Sequence, residues 1–406
     1  MIPVPEAIRI IEAQTPRLPV ETVALVEARG RVLAEDVVAD TDLPPFDRAM
    51  MDGYAVRAAD TAGATTAAPV RLRIAGEAAA GAGWRGELQA GEAVRIMTGA
   101  PVPAGADSVQ QVEVTHETEG GAHVEIERAT APAQFITKRA TEITRGETVL
   151  RAGETINAAS MAALASFGYA RIKVGKRPRV SVLATGTELV DVGAEPGADQ
   201  IRDSNTYSLF AYAEAAGARV EHAPFAGDDA ELLRHLIAEC AERADVLVLS
   251  GGVSMGIYDF TKTALRSLGA EIFFERVSLR PGKPTVFARL GRTLIFGLPG
   301  NPVSVSVTFN LFARTAIRAM QGARAAALNE EQAVLGRNVR GTIERASYLP
   351  AELRTDAAGR LVAEPLRWGG SSDFVAFTRA DALIIVEAGV QTIEAETVVR
   401  VVRLPA

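Results

Sequence analysis

The stretch Ser250-Gly251-Gly252-Val253-Ser254-Met255-Gly256 separates an apolar run from a segment of helical period beginning near Asp259. Glycines let a backbone come close to an anion, and the amides at a helix start point toward it. The stretch is neither a Walker loop nor a dinucleotide fingerprint, so a plain strand-to-helix turn stands as the other reading. Thr185-Gly186-Thr187-Glu188-Leu189 follows a second apolar run. It suits phosphate or an amide edge, and equally a helix cap with an acid in its first turn. Glu188, Asp228 and Asp259 all fall where strand-to-helix junctions are expected. Each alone reads as a cap. Together, beside phosphate-binding turns, they need a cation between them and the ligand, and oxygen ligands favour Mg²⁺. Arg276, Arg280 and Lys283 bring three cations into one loop, enough to hold an oxyanion and a phosphate if they are not simply solvated. Leu298-Pro299-Gly300-Asn301-Pro302 sets a rigid turn at a helix start, with Pro302 at or near the first helical position.

Other chemistries find little support. The chain has four histidines without paired-ligand spacing and a single cysteine, Cys240, in a helical run where a buried free thiol is expected. No GxSxG elbow is present. A net charge of −7 argues against nucleic acid and anionic membranes. No window reaches the roughly 18 apolar residues of a membrane span, and the N-terminus is not a signal peptide, so a cytoplasmic enzyme is expected.

The elements that must position these loops follow from texture. The 406 residues allow about two to four domains. Residues 1–45 and 157–176 form an expected N-terminal domain, interrupted at 46–156 by a small β-rich domain of short strands and Gly/Pro turns. Residues 177–322 alternate strands with helices: a helix from Tyr207, a strand Arg219 to Phe225, a helix from Asp229, a strand from Asp245, a helix from Asp259 and a long helix Asn301 to Met320. That order predicts an α/β domain with a mostly parallel sheet, whose ligands lie outside the carboxyl ends of the strands. Gln321 to Ala333 reads as a linker, and residues 330–406 as a terminal all-β domain.

In chain order the motifs resemble those of the MoeA family, the molybdopterin molybdenumtransferases, which include the C-terminal region of gephyrin. Phe46-Asp47-Arg48-Ala49-Met50-Met51-Asp52-Gly53-Tyr54-Ala55 and Thr98-Gly99-Ala100-Pro101-Val102-Pro103 are similar to the family's N-terminal segments. Thr185 to Leu189, Ser250 to Ser254 with Asp259, Pro281-Gly282-Lys283-Pro284 and Leu298 to Pro302 are similar to its later ones. The resemblance covers essentially the whole chain. It implies an N-terminal domain with an inserted β domain, an α/β pterin-binding domain and a C-terminal β-barrel, assembled as a homodimer. It implies insertion of molybdate into adenylylated molybdopterin with release of AMP and help from Mg²⁺, with the molybdopterin adenylyltransferase as a further partner.

Carried over by motif, Asp52, Thr98, Glu188, Asp228, Asp259 and Lys283 are the implied catalytic residues, and Glu188, Asp228 and Asp259 the metal ligands. Thr185, Gly186, Ser250, Gly251, Gly252, Ser254, Arg276, Arg280, Pro299, Gly300, Asn301, Pro302 and Ser371 would hold substrate. This chain departs from the pattern at Arg276 and Arg280, where lysines are usual, and at Pro350, where an arginine commonly stands. Two other readings use the same motifs: a relative that keeps the pocket as a scaffold without turnover, and an enzyme that makes the adenylate from ATP.

Overall fold

The computed structural model describes residues 1–223, 229–252 and 260–405. The chain divides into two compact units, one of residues 1–35, 151–162 and 170–406, the other of residues 36–150 and 163–169.

In the larger unit, helix α1 (Val4–Gln14) carries a proline in its first turn and buries Val4, Ala7 and Ile11, the single stripe expected of a helix lying on a core. Strand β1 (Val20–Ala24) pairs antiparallel with β2 (Arg171–Gly175). The α/β part then runs β3 (Arg179–Ala184), α2 (Asn205–Ala215), β4 (Arg219–His222), α3 (Ala230–Arg243), β5 (Val246–Ser250) and α4 (Phe260–Ser267). It continues through β6 (Glu271–Phe274), β7 (Leu279–Arg280), β8 (Val286–Leu290) and β9 (Thr293–Leu298). Helix α5 (Pro302–Thr308) joins α6 (Arg314–Met320) through a π turn at Phe309–Ala313.

Strands β4, β3, β5 and β9 lie side by side in parallel, and β8 and β6 complete the sheet antiparallel. Successive strand residues point to opposite faces, and both faces are covered. Val180, Val182, Val246, Val248 and Phe296 face one core with α1, α2, α5 and α6. Leu183, Leu247, Leu249 and Ile295 face the other with α3 and α4, where Cys240 is buried as a free thiol. Burial pushes the Cys240 thiol up, which suits a packing role rather than a reactive one.

The C-terminal part comprises β10 (Glu330–Leu335), β11 (Ala346–Thr355), β12 (Leu361–Pro365), α7 (Phe374–Phe377), β13 (Ala382–Val386) and β14 (Val398–Arg403). Pairing runs β11-β12-β10-β14-β13 and returns to β11, so five strands close into a barrel. The short β7 adds to β11 in parallel.

The smaller unit is built on a six-stranded sheet in the order 108–111, 53–56, 92–96, 70–78, 123–126 and 115–118. The fold is thus the multidomain α/β plus β architecture with a terminal barrel.

Several local expectations change. Glu188 does not open a helix: Leu189–Val190 pairs with Ile201–Arg202 in a two-stranded excursion, and α2 starts only at Asn205. Strand β10 begins at Glu330, inside the stretch read as linker; its pairing with β14 and the burial of Ala333, Val334 and Leu335 outweigh a composition typical of a tether. The C-terminal part is not purely β, because Asp373 caps the single turn α7. Strand β4 ends at His222, and Phe225 lies outside the described residues.

Candidate active site at the carboxyl edge of the parallel sheet

Register brings three of the predicted loops to one level. Ala184 is opposite Ser250 on the neighbouring strand, and Ser250 is opposite Leu298 on the next. The chain therefore leaves β3, β5 and β9 at the same height, and Thr185-Gly186, Gly251-Gly252 and Pro299-Gly300-Asn301 emerge side by side. This is the position at which open α/β sheets take their ligands. A cavity of about 940 Å³ opens there. Its walls include Thr185, Gly186, Glu188, Ser250, Gly251, Gly252, Pro299, Gly300, Asn301 and Pro302.

Hydrogen bonds fix the floor. The Thr185 amide donates to the Ser250 carbonyl at 2.9 Å and the Gly251 amide to the Leu298 carbonyl at 3.2 Å. The Gly251 amide is thus committed to the sheet, and the glycine serves close approach. A Cβ at Gly251, whose φ is +93°, would lie 2.5 Å from the Thr185 carbonyl oxygen. A Cβ at Gly252, φ +64°, would meet the Thr261 hydroxyl at 2.6 Å. A side chain at Gly251 would require backbone movement, and one at Gly252 would have to displace the Thr261 hydroxyl in a backbone conformation that favours glycine.

The tie between loops comes from a residue that motif reading passed over. Asn205, at the start of α2, donates from Nδ2 to Ser250 Oγ at 2.9 Å and to the Gly300 carbonyl at 2.7 Å. Its Oδ1 is buried and, among the described residues, accepts no hydrogen bond. The only hint in the sequence is Asp203-Ser204-Asn205 ahead of an apolar stretch, which reads as an ordinary helix cap. Asp203 does act so, accepting from the Thr206 amide at 3.1 Å. Gln200, Arg202, Asp203 and Phe374 also line the cavity and were not singled out in the sequence, whereas Ser372 belongs to the Gly370-Ser371-Ser372 segment that the family resemblance places near the cleft.

The helix at Asn301-Pro302 offers less than expected. Asn301 does not cap it with its side chain; Nδ2 donates instead to Ser371 Oγ at 2.8 Å. The Val303 amide is taken by the Ser371 carbonyl at 3.0 Å. Ser371 therefore holds the loop, and its neighbour Ser372 faces the cavity.

The basic loop does not gather at this cavity. Arg276 is exposed, and Lys283 is half-buried with Pro284 rather than Lys283 among the lining residues. Arg280 lines a separate cavity of about 320 Å³ with Arg337, Arg340, Pro350 and Gly370. At Pro350 the resemblance leads one to expect an arginine; guanidinium groups reach the same space from Arg337 and Arg340. The spread follows from β7, which fixes Leu279–Arg280 against the barrel strand β11 and turns Arg280 away from the sheet edge.

Of the three acids, Glu188 lines the large cavity and is exposed. Asp228, Asp259 and Ser254 lie outside the described residues. The cap expected near Asp228 is made by Asp229, which accepts from the Glu231 and Leu232 amides at 2.9 and 3.0 Å. In the smaller unit, Asp52 accepts from both the amide and the hydroxyl of Thr98, each at 2.7 Å. Those two bonds hold the Asp52 carboxyl below the usual carboxylate range, the backbone bond contributing most.

Comparison with known proteins agrees along the chain. Residues 2–168 match the MoeA N-terminal region (domain I and II), 181–319 the probable molybdopterin binding domain, and 332–404 the MoeA C-terminal region (domain IV). A molybdopterin molybdenumtransferase of Bacillus subtilis is 36% identical over 410 residues, spanning 98% of this chain and 93% of the relative. This chain belongs to the MoeA family of molybdopterin molybdenumtransferases. Two solved structures of the molybdopterin biosynthesis MoeA protein from Pyrococcus horikoshii cover all of both chains. Their TM-scores are 0.80 and 0.85, at 31% and 26% identity. The MoeA segments include both the three loops at the sheet edge and the Asp52–Thr98 pair.

Proposed function

We propose that this chain acts in molybdenum cofactor biosynthesis as a molybdopterin molybdenumtransferase, joining molybdate to adenylylated molybdopterin with release of AMP. The observation that carries the reading is the junction of three parallel strand ends in one cavity of about 940 Å³, tied across by Asn205. A fused heterocycle with a phosphate tail needs a cleft of this size, and pockets for such ligands run from about 300 to 1,000 Å³.

The described oxygen donors of the cavity fit a hard divalent ion: the carboxylates of Glu188 and Asp203 and the unengaged Oδ1 of Asn205. No group of three His, Cys, Asp or Glu is gathered among the described residues. Glu188, with Asp228 and Asp259, would hold Mg²⁺, which supplies neutralisation of charge between two anions. Thr185, Ser250 and Ser372 supply neutral hydroxyls beside that charge, and Gly251 and Gly252 admit the ligand close to the backbone. Arg202 is the one cation among the described lining residues and would meet an anionic part of the ligand. Asp52, kept ionised by Thr98, would complete the site from the second copy of a homodimer. The work is positioning and charge neutralisation rather than covalent catalysis.

Purified chain incubated with adenylylated molybdopterin, molybdate and Mg²⁺ is expected to release AMP, read by chromatography. Absence of AMP above background from folded protein overturns the reaction. Formation of the adenylate from ATP and free molybdopterin would assign the chain to the preceding step.

A further inference from the structure

A second concentration of charge sits at the opposite end of the parallel sheet. Strands β3 and β4 begin with Arg179 and Arg219, which are direct partners in the parallel register. Like charges side by side on neighbouring strands destabilise a sheet unless something lies between them. Arg179 has a partner of its own, the Asp245 carboxylate at 3.6 Å. Arg219 has none among the described residues. Beside them lie Lys176 and Arg177, and together with Glu21 these four cations line a pocket of about 250 Å³.

Glu21 is bonded to Arg31, and it and Glu214 offset only part of the pocket's positive charge at Arg177. Arg31 is buried, at 5% exposure, and spends a second guanidinium bond on the Gly175 carbonyl at 2.7 Å. The Nε atoms of both Arg31 and Arg177 are buried with no acceptor. A buried donor left unpaired costs about 1–3 kcal/mol, and a charged one more. Burial, with Arg31 and Arg219 nearby, pushes the Arg177 guanidinium below its ordinary value. Lys176, Arg177 and Arg219 thus converge on one recess, and among the described residues none of the three makes an ion pair with a carboxylate.

We infer that this pocket binds a small tetrahedral oxyanion, phosphate or molybdate in charge and shape, at the amino ends of β3 and β4. Planar guanidinium forks match such oxygens, and a bound dianion would relieve the Arg179–Arg219 pairing and accept from Arg177 Nε. At about 250 Å³ the recess is smaller than the usual nucleotide-sized cleft, so the ligand is a free oxyanion. β3 is six residues long, so at roughly 3.3 Å per residue the pocket stands about 20 Å from the large cavity. The inference does not depend on the reaction proposed for that cavity.

Calorimetry on the full chain tests it, with phosphate, molybdate and, at matched ionic strength, chloride. Phosphate or molybdate should bind in a mode that Arg177→Gln and Arg219→Gln each weaken at least tenfold and that Lys283→Ala leaves unchanged. The two oxyanions titrated separately show which source the pocket prefers. Arg219 is exposed, so Arg219→Gln reads the site even if Arg177→Gln disturbs folding. A titration in which neither arginine substitution weakens any oxyanion-binding mode, in which the one mode seen is abolished by Lys283→Ala instead, or in which no binding is seen overturns the inference.

Discussion

The two ends of the parallel sheet are built from different materials. At the carboxyl end the cavity is shaped by backbone turns, small residues and hydroxyls, and Arg202 is the one cation among its described lining residues. At the amino end the pocket is shaped by long basic side chains on the first residues of strands. A site made from backbone recognises a ligand by fit, because its donors and walls cannot move independently. A site made from arginine and lysine recognises charge first, and its strength depends on the surrounding salt.

The largest effect that would break this contrast is at Gly251. Gly251→Val forces a side chain into the Thr185 carbonyl and into a backbone conformation reserved for glycine. AMP release should fall about a hundredfold, the scale of a 1 Å displacement in a site, with a stability loss of about 1–3 kcal/mol in urea unfolding. Turnover near wild type would mean that the floor is not shaped by backbone approach.

Asn205→Leu comes next. It leaves the Gly300 carbonyl and the Ser250 hydroxyl without their donor, and should lower kcat/KM about tenfold and stability by about 1–3 kcal/mol. If kcat/KM holds while stability drops, Asn205 is a scaffold residue only. Salt then separates the two ends. Between about 0.1 M and 1 M the Debye length shrinks from about 10 to 3 Å, so oxyanion binding at Arg177 should weaken several-fold. The KM at the cavity should change less; an equal response at both ends would remove the distinction.

The smallest effect concerns the other compact unit. Thr98→Val removes one of the two bonds to Asp52 and keeps the backbone bond, so the carboxyl should titrate at a higher pH, partway toward its ordinary value. Carbon-13 NMR of the Asp52 carboxyl measures it. The sign follows from the lowered value: the stabilisation is present above the ordinary carboxylate range and is lost as pH falls through the lowered one. The variant should therefore lose it at a higher pH than the wild type.

The sheet and its edge were legible because they rest on local signals: continuous apolar runs, followed by glycine or proline. Thr185, Ser250 and Pro299 each close such a run, and parallel order then leaves them neighbours. Asn205 was not legible, since its partners Ser250 and Gly300 are 45 and 95 positions away and its own surroundings look like any helix start. The basic loop misled for the opposite reason. Arg276, Arg280 and Lys283 are close in sequence, but pairing of β7 with the barrel sends them apart. Glu188 suffered from the same locality: a first-turn acid and an acid before a short strand look alike until the strand finds its partner at Ile201. Asp228, Asp259 and Ser254 lie outside the described residues, so for them the sequence reading stands as it was.

The parallel join between β7 and β11 gives the C-terminal barrel a say in a loop some seventy positions upstream, where Ser278 Oγ donates to the Glu344 carbonyl at 3.2 Å, 66 residues along the chain. Trimming the gene before residue 330 would do more than remove an appendage. It would strip Arg280 of the main-chain seam that aims it, so a shortened enzyme would be altered in chemistry as well as in length.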